Sequence, residues 1–246
     1  MLSGFFAESI VKRAQAKKAV EINLVNIRDF AIDSYGTVDD KPYGGGAGMV
    51  MRVDVVYQAI AKVKSQMLKV NTESQNSKII LTAPKGKQFN QEKAQEYAKL
   101  DELIIIAGHY EEIDERVRDY IDEEVSLGDF VMTGGEITAA AIADSVVRLL
   151  PGVLKKNDAT QMESFMIVSI KRLIESIGEN DVLLKLTKKG INNIRLLEYP
   201  QYTRPEEFKG KKVPDILLSG DHKKIEIWKL KKAFAETLKK RPDLLT

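Results

Sequence analysis

Three short apolar runs, each ended at once by a glycine-containing loop, constrain this chain more than any other feature. They are KIILT (78–82) leading into TAPKG (82–86), ELIIIAG (102–108) leading into AGHYE (107–111), and EEVSL (123–127) leading into GDFVMTGGE (128–136). Runs this short and this apolar predict buried strands. Helical patterns at 54–68, 90–100 and 136–150 alternate with them, the last stopped by Pro151. Parallel neighbours need a crossover, which a helix supplies, so the alternation predicts an α/β domain on a parallel sheet. All three loops then fall at carboxyl ends of strands, where open α/β sheets bind ligands.

Around this centre the pattern is less regular. Phe5, Phe6, Ile10, Val11 and Ala14 predict a helix over 3–18, and VEINLVNI (20–27) alternates as a strand does. A polar, glycine-rich stretch from Arg28 to Gly48 is too long for a simple turn, and loops of that length are usually functional. Beyond KKNDATQ (155–161), residues 165–190 have helical periodicity without a core to join. A helical module starts near 196 and ends in a helix over 221–245 whose Ile225, Trp228, Phe234 and Leu238 share an apolar face. The expected organisation is an α/β domain over 1–154, a linker over 155–195 and a small helical domain over 196–246.

The net charge of +2 conceals an asymmetry. Residues 1–154 carry 18 Lys plus Arg against 23 Asp plus Glu, whereas 155–246 carry 20 against 13. Within the second part, 196–246 has 12 basic and 8 acidic residues, the footprint of a polyanion partner. The chain has no cysteine, which removes disulfide scaffolds, thiolate metal sites and Cys nucleophiles, and fits a cytoplasmic protein. No apolar run is long enough to span a membrane. His109 and His222 are the only histidines and lack neighbours at metal-ligand spacing.

Motif chemistry narrows the choice without naming a reaction. No G-x-G-x-x-G follows a strand, and PYGGGAGMV (42–50) lacks the G-K-[ST] of a phosphate-binding Walker loop. Its bare backbone still admits a flat or phosphate-bearing ligand. A lone His109 beside a tyrosine is more often structural than a general base. Solvated helix ends explain the carboxylates between Asp114 and Glu124 more simply than a metal does. Arg116 and Arg148 are the better candidates, with an ion pair as the plainer alternative.

Several stretches, in order, resemble the bacterial tRNA (guanine-N1)-methyltransferase family: TVDDKPYGGGAGMVMRVD (37–54), GHYEEIDERV (108–117), SLGDFVMTGGE (126–136), DSVVRLLPGVL (144–154), LLEYPQYTRPEEF (196–208) and VPDILLSGDHKKIEIWK (213–229). The resemblance implies a knotted, parallel-sheet α/β domain of the SPOUT methyltransferase class plus a small helical C-terminal domain, working as a homodimer with a shared active site. It further implies that the three loops hold S-adenosylmethionine. Carried over by position, the contacts fall on Thr82 and Pro84, then on Gly108, Tyr110, Glu111 and Glu112. In the third loop they fall on Leu127, Gly128, Phe130, Met132, Gly134 and Gly135. Tyr43, Gly44, Gly45, Gly46 and Gly48 match the loop beside the target guanine, and Arg204 and Gly220 match positions that face the tRNA anticodon stem-loop.

A neutral guanine N1 still carries its proton and is a poor nucleophile, so a base must remove that proton while a cation stabilises charge developing on O6. The family's Asp and Arg match Glu163 and Arg148, and magnesium is associated with the family's reaction. Four departures accompany the resemblance. Family members carry a strand before the position matching Met1. Glu112 stands where a glycine is expected, and Glu163 where an aspartate is. Residues 166–192 form an insertion in the linker. Bulk, charge and a lost positive φ at Glu112 predict weakened cofactor binding, so two readings stay open: an active methyltransferase, and a catalytically impaired homologue that keeps tRNA binding.

Overall fold

The computed structural model describes residues 2–70, 76–109, 111–155 and 163–246, and only the backbone of 67–70. Two compact units divide the chain, 1–155 and 156–246. In the first, α1 (Leu2–Phe6) and α2 (Ser9–Ala16) replace the single helix expected over 3–18. The chain turns at Ala7 and Glu8, and this break lets Phe6, Val11 and Ala14 all reach a cluster with Val147 and Val153. The strand expected over 20–27 does not form. Val20 and Ile22 pack on the same cluster, and the chain enters a 3-10 turn, Ile27–Phe30. Alternation reports burial on one side only; with no strand alongside, there is no ladder.

The order continues β1 (Asp39–Asp40), β2 (Val50–Met51), α3 (Val53–Val70), β3 (Ser77–Gln88), α4 (Gln91–Tyr97), β4 (Glu102–Ala107), β5 (Glu112–Ile113), β6 (Glu123–Ser126) and α5 (Glu136–Val147). The expected parallel sheet is present, in the order β4-β3-β6. Strand periodicity splits its central strand between two layers. Ile79, Leu81 and Ala83 pack with Val56 and Ile60 of α3, whereas Ile80 packs with Tyr97 of α4 and Ile142 and Val146 of α5. Helices thus cover both faces, which is why these strands read as apolar runs.

β3 is longer than the KIILT run suggested. Both Thr82 and Lys87 are in register with Val125 of β6, so 83–86 bow out of the ladder and the strand resumes. Gly86 then crosses the β6 backbone so closely that a Cβ there would lie 2.5 Å from the Glu124 carbonyl carbon. Glycine is required by this approach of two backbones. A second small sheet, β1-β2-β5, pairs Val50 with Glu112 and Met51 with Ile113.

In the second unit, β7 (Met166–Ser169), α6 (Ile170–Ile177), α7 (Asp181–Lys188) and β8 (Asn193–Leu196) precede a hairpin of β9 (Glu207–Phe208) and β10 (Lys211–Lys212), then α8 (Asp215–Leu218) and α9 (His222–Lys240). Where a linker was expected over 155–195, residues 166–196 instead build most of this unit's core. Met166, Val168, Leu173, Leu183, Ile194 and Leu196 close on Leu230 and Phe234 of α9. The physical reason is amphipathicity: Ile170, Leu173, Ile174 and Ile177 fall at helical spacing and all join that core. Buried Thr237 of α9 fixes the junction, accepting from Leu197 N–H at 2.7 Å and donating to the Ala233 carbonyl at 2.7 Å.

Candidate active site

An open cleft lies between the 83–86 bulge of β3 and the carboxyl ends of β4 and β6. Each of the three loops read from the sequence reaches it. Thr82 and Pro84 come from the first, and Gly108, Glu111 and Glu112 from the second. The third contributes Leu127, Gly128, Phe130, Met132, Gly134 and Gly135. Tyr110, expected among them, lies outside the described residues.

Close backbone packing shapes the floor. Gly135 N–H donates to the Gly108 carbonyl at 2.7 Å, and the Thr82 hydroxyl donates to the Ile106 carbonyl at 3.2 Å. A Cβ on Gly135 would lie 2.9 Å from Gly108 N and 3.2 Å from Ala107 Cα, and would overlap Thr82 Oγ1. Only a bare backbone lets the start of α5 approach the β4 loop this closely. The same approach brings the amino end of α5 to the cleft. A carboxylate or other electron-rich group there would also meet the favourable end of the α5 dipole.

The glycine loop at 42–48 joins the cleft through the small sheet. Glu111 N–H donates to the Met49 carbonyl at 3.2 Å, and the Glu111 side chain occupies the space that a Cβ on Gly48 would fill. Gly44, Gly45, Gly46 and Gly48 all have positive φ, and Tyr43 is fully exposed at the tip. Such a run of left-handed residues is open to glycine and costly for others.

Glu112 does not behave as the sequence suggested. It lies in extended β5 and has no positive φ to accommodate. Its carboxylate meets Lys85 Nζ at 2.9 Å and Arg118 Nη2 at 3.9 Å, so its charge is compensated where it lines the cleft. Arg118 is itself anchored to Glu124 at 2.7 Å, which raises its already high pKa. The strain expected of Glu112 therefore does not arise.

His109, read from the sequence as more often structural than a general base, lines the cleft with its Nδ1 3.3 Å from Glu136 Oε1. Sequence reasoning missed Ser126 and Thr138, which line it as well. Adjacency to glycine motifs at the strand ends was the only signal for them. Arg116 forms the plainer ion pair, with two hydrogen bonds to Asp114 at 2.9 and 2.7 Å that hold the aspartate below its ordinary pKa. Arg148 caps the carboxyl end of α5, its N–H donating to the Asp144 carbonyl at 3.1 Å. At about 1.5 Å per residue, the helix separates it by roughly 18 Å from the Gly135 end.

Glu163 belongs to the second unit, at the root of β7, where its carbonyl accepts from Met166 N–H at 3.1 Å. Arg204 is exposed before β9, and Gly220 joins α8 to α9 just ahead of Asp221, whose carboxylate caps the latter. Among the described residues, no group of three or more His, Asp or Glu could hold a metal ion, and no helix is long and apolar enough to cross a membrane.

A helix-covered parallel sheet with a cleft formed by three loops along one end of its strands defines an α/β domain with a ligand site, here joined to a second folded unit. The chain belongs to the tRNA (guanine-1)-methyltransferase family, described as TrmD, whose model matches residues 1–246. It is 47% identical over 246 residues to the tRNA (guanine-N(1)-)-methyltransferase of Citrifermentans bemidjiense, covering all of this chain and 85% of that protein. The like-named protein of Dictyoglomus turgidum is 46% identical over 245 residues, with 100% and 85% covered. That of Geobacillus kaustophilus is 45% identical over 246 residues, with 100% and 87% covered. Matches of this extent, with Glu112 neutralised in place, give no support to an impaired homologue.

Proposed function

We propose that this protein transfers the methyl group of S-adenosylmethionine to N1 of the guanosine immediately 3′ of the anticodon in tRNA. The observation that carries this reading is the cleft itself: within a chain of this family, the described residues matched to cofactor contacts all line one site. The site fits the cofactor in being open and lined by all three loops, while glycines 108, 134 and 135 let those loops pack tightly against one another beneath it. When bound, S-adenosylmethionine supplies an electrophilic sulfonium methyl. Glu163 takes the N1 proton as N1 forms its bond to carbon, and Arg148 stabilises the charge that develops on O6. The Glu111-tethered loop around Tyr43 orients the guanine. No step is assigned to magnesium.

The roughly 18 Å of helix between the cleft end of α5 and Arg148 favours a homodimer in which one site draws residues from two copies. Exposed Phe130, Val131 and Ile137, around the start of α5, are apolar surface suited to a partner copy. By its family membership we also assign this chain the knotted SPOUT topology. A tRNA substrate and the absence of cysteine fit a cytoplasmic protein. The test is methyl incorporation into two unmodified tRNA transcripts that differ only at the nucleotide 3′ of the anticodon. The guanosine transcript should be methylated and the adenosine transcript should not; equal labelling, or none, would refute the reading.

A further inference from the structure

Residues 166–192, expected from the sequence to be an insertion in a linker, are folded and anchored. β7 and β8 pair antiparallel, with Ser169 opposite Asn193, and Ile170 N–H donates to the Asn192 carbonyl at 2.9 Å. This register brings the start of α6 and the loop that follows α7 to the same end of the unit. That end is cationic. Between Asp181 and Glu198 the chain carries Lys185, Lys188, Lys189 and Arg195 and no acidic residue. The acids Glu179 and Asp181 lie at the opposite end, in the turn from α6 to α7. Lys185, Lys188 and Lys189 are exposed, and none has a carboxylate within ion-pair distance among the described residues.

The position of this end adds a second observation. Arg172, at the start of α6, pairs with Glu226 of α9 at 2.8 Å. One turn beyond Glu226, Lys229 lies 4.7 Å from the centre of the Tyr199 ring, and Tyr199 and Tyr202 both pack edgewise or tilted on Trp228. Aromatic rings interleaved with lysines suit a nucleic-acid chain, through base stacking and phosphate pairing. The cationic end of the 166–196 segment and a surface of that chemistry thus belong to the same unit, joined through α6, which packs on both α7 and α9.

We propose that Lys185, Lys188 and Lys189 form a phosphate-binding surface that gives this protein tRNA contacts additional to those of α9 and the 197–206 segment. The inference rests on the tRNA reading above. The core of 166–196 and α9 supplies a rigid mount, so the lysines meet the RNA without a loop having to order first. Cations in the last turn of a helix also stabilise its dipole. That role alone would alter stability and leave RNA affinity untouched.

The test uses the full chain and its K185Q/K188Q/K189Q variant, measuring tRNA affinity between 50 and 200 mM salt together with methylation kinetics. We expect the slope of log affinity against log salt to become shallower by about 2–3, one phosphate contact per lysine. The tRNA KM should rise by about tenfold at 100 mM salt, with kcat at saturating tRNA and S-adenosylmethionine affinity unchanged and the thermal midpoint only slightly lower, as the lost helix-dipole contribution requires. An unchanged slope and KM in a variant of an active enzyme would overturn this inference alone, as would a loss confined to thermal stability. A wild-type chain that neither binds nor methylates tRNA would overturn the functional reading as well.

Discussion

Replacing Gly86 by alanine tests whether the crossing of β3 over β6 sets the geometry of the cleft. The added Cβ would lie 2.5 Å from the Glu124 carbonyl carbon and 2.7 Å from its oxygen. Both are backbone atoms of a parallel ladder, so no side chain can swing aside. Val125 N lies closer still, so reaching ordinary contact at 3.4 Å requires the two strands to part by about 1 Å. The separation would fall between Pro84 on one side and Leu127 on the other, both lining the cleft. Overpacking of this kind costs about 1–3 kcal/mol of stability. A misplacement of about 1 Å at a reacting centre costs on the order of a hundredfold in rate, or about 2.7 kcal/mol. We expect Gly86→Ala to lower the urea midpoint and to reduce kcat/KM by about that factor. Gly4→Ala serves as a control, since no atom lies within 4 Å of a Cβ there. Its midpoint should hold or rise slightly. A Gly86→Ala protein with wild-type midpoint and wild-type S-adenosylmethionine affinity would refute the reasoning.

Three further outcomes are expected. Glu163→Ala should abolish methylation while leaving S-adenosylmethionine affinity within twofold, measured by calorimetry, because Glu163 lies outside the cofactor loops. If sites are shared between copies, mixing inactive Gly135→Val with inactive Glu163→Ala protein should restore about a quarter of wild-type activity, since half the dimers are mixed and each holds one intact site; a mixture as inert as its parts would contradict a shared site. Burial pushes the Glu123 carboxyl up, but its bonds to Lys93 and Tyr97 and the nearby Lys78 outweigh this and hold it below 4.5. Its stabilisation is complete above 4.5 and lost as pH falls through the depressed value. Glu123→Gln should therefore cost about 1–3 kcal/mol at pH 7 and flatten the stability profile on the acid side, read by urea titration across that range.

How much of this was visible in the sequence depended on whether the cause was local. The strands at 78, 102 and 123 were legible because burial on both faces leaves unbroken apolar runs, and their glycine loops marked the strand ends where the cleft lies. VEINLVNI misled because alternation records a buried side and not a pairing partner. Residues 166–192 were obscured by their lysines, although the local signals were present. Ser169 caps α6, Asn180 caps α7, and Gly178 and Gly190 end them with positive φ. What the sequence could not convey were contacts between distant segments. Nothing near Glu112 in the chain indicates that Lys85 would neutralise it, and nothing in TGGE indicates that Gly135 is small for the sake of Thr82.

The most direct measurement of the central claim is nucleoside analysis of an unmodified tRNA after single-turnover reaction with the wild-type chain and S-adenosylmethionine. The account predicts close to one N1-methylguanosine per tRNA, located at the nucleotide 3′ of the anticodon. Methyl transfer to another atom or position, or no transfer with cofactor and tRNA both bound, would contradict it.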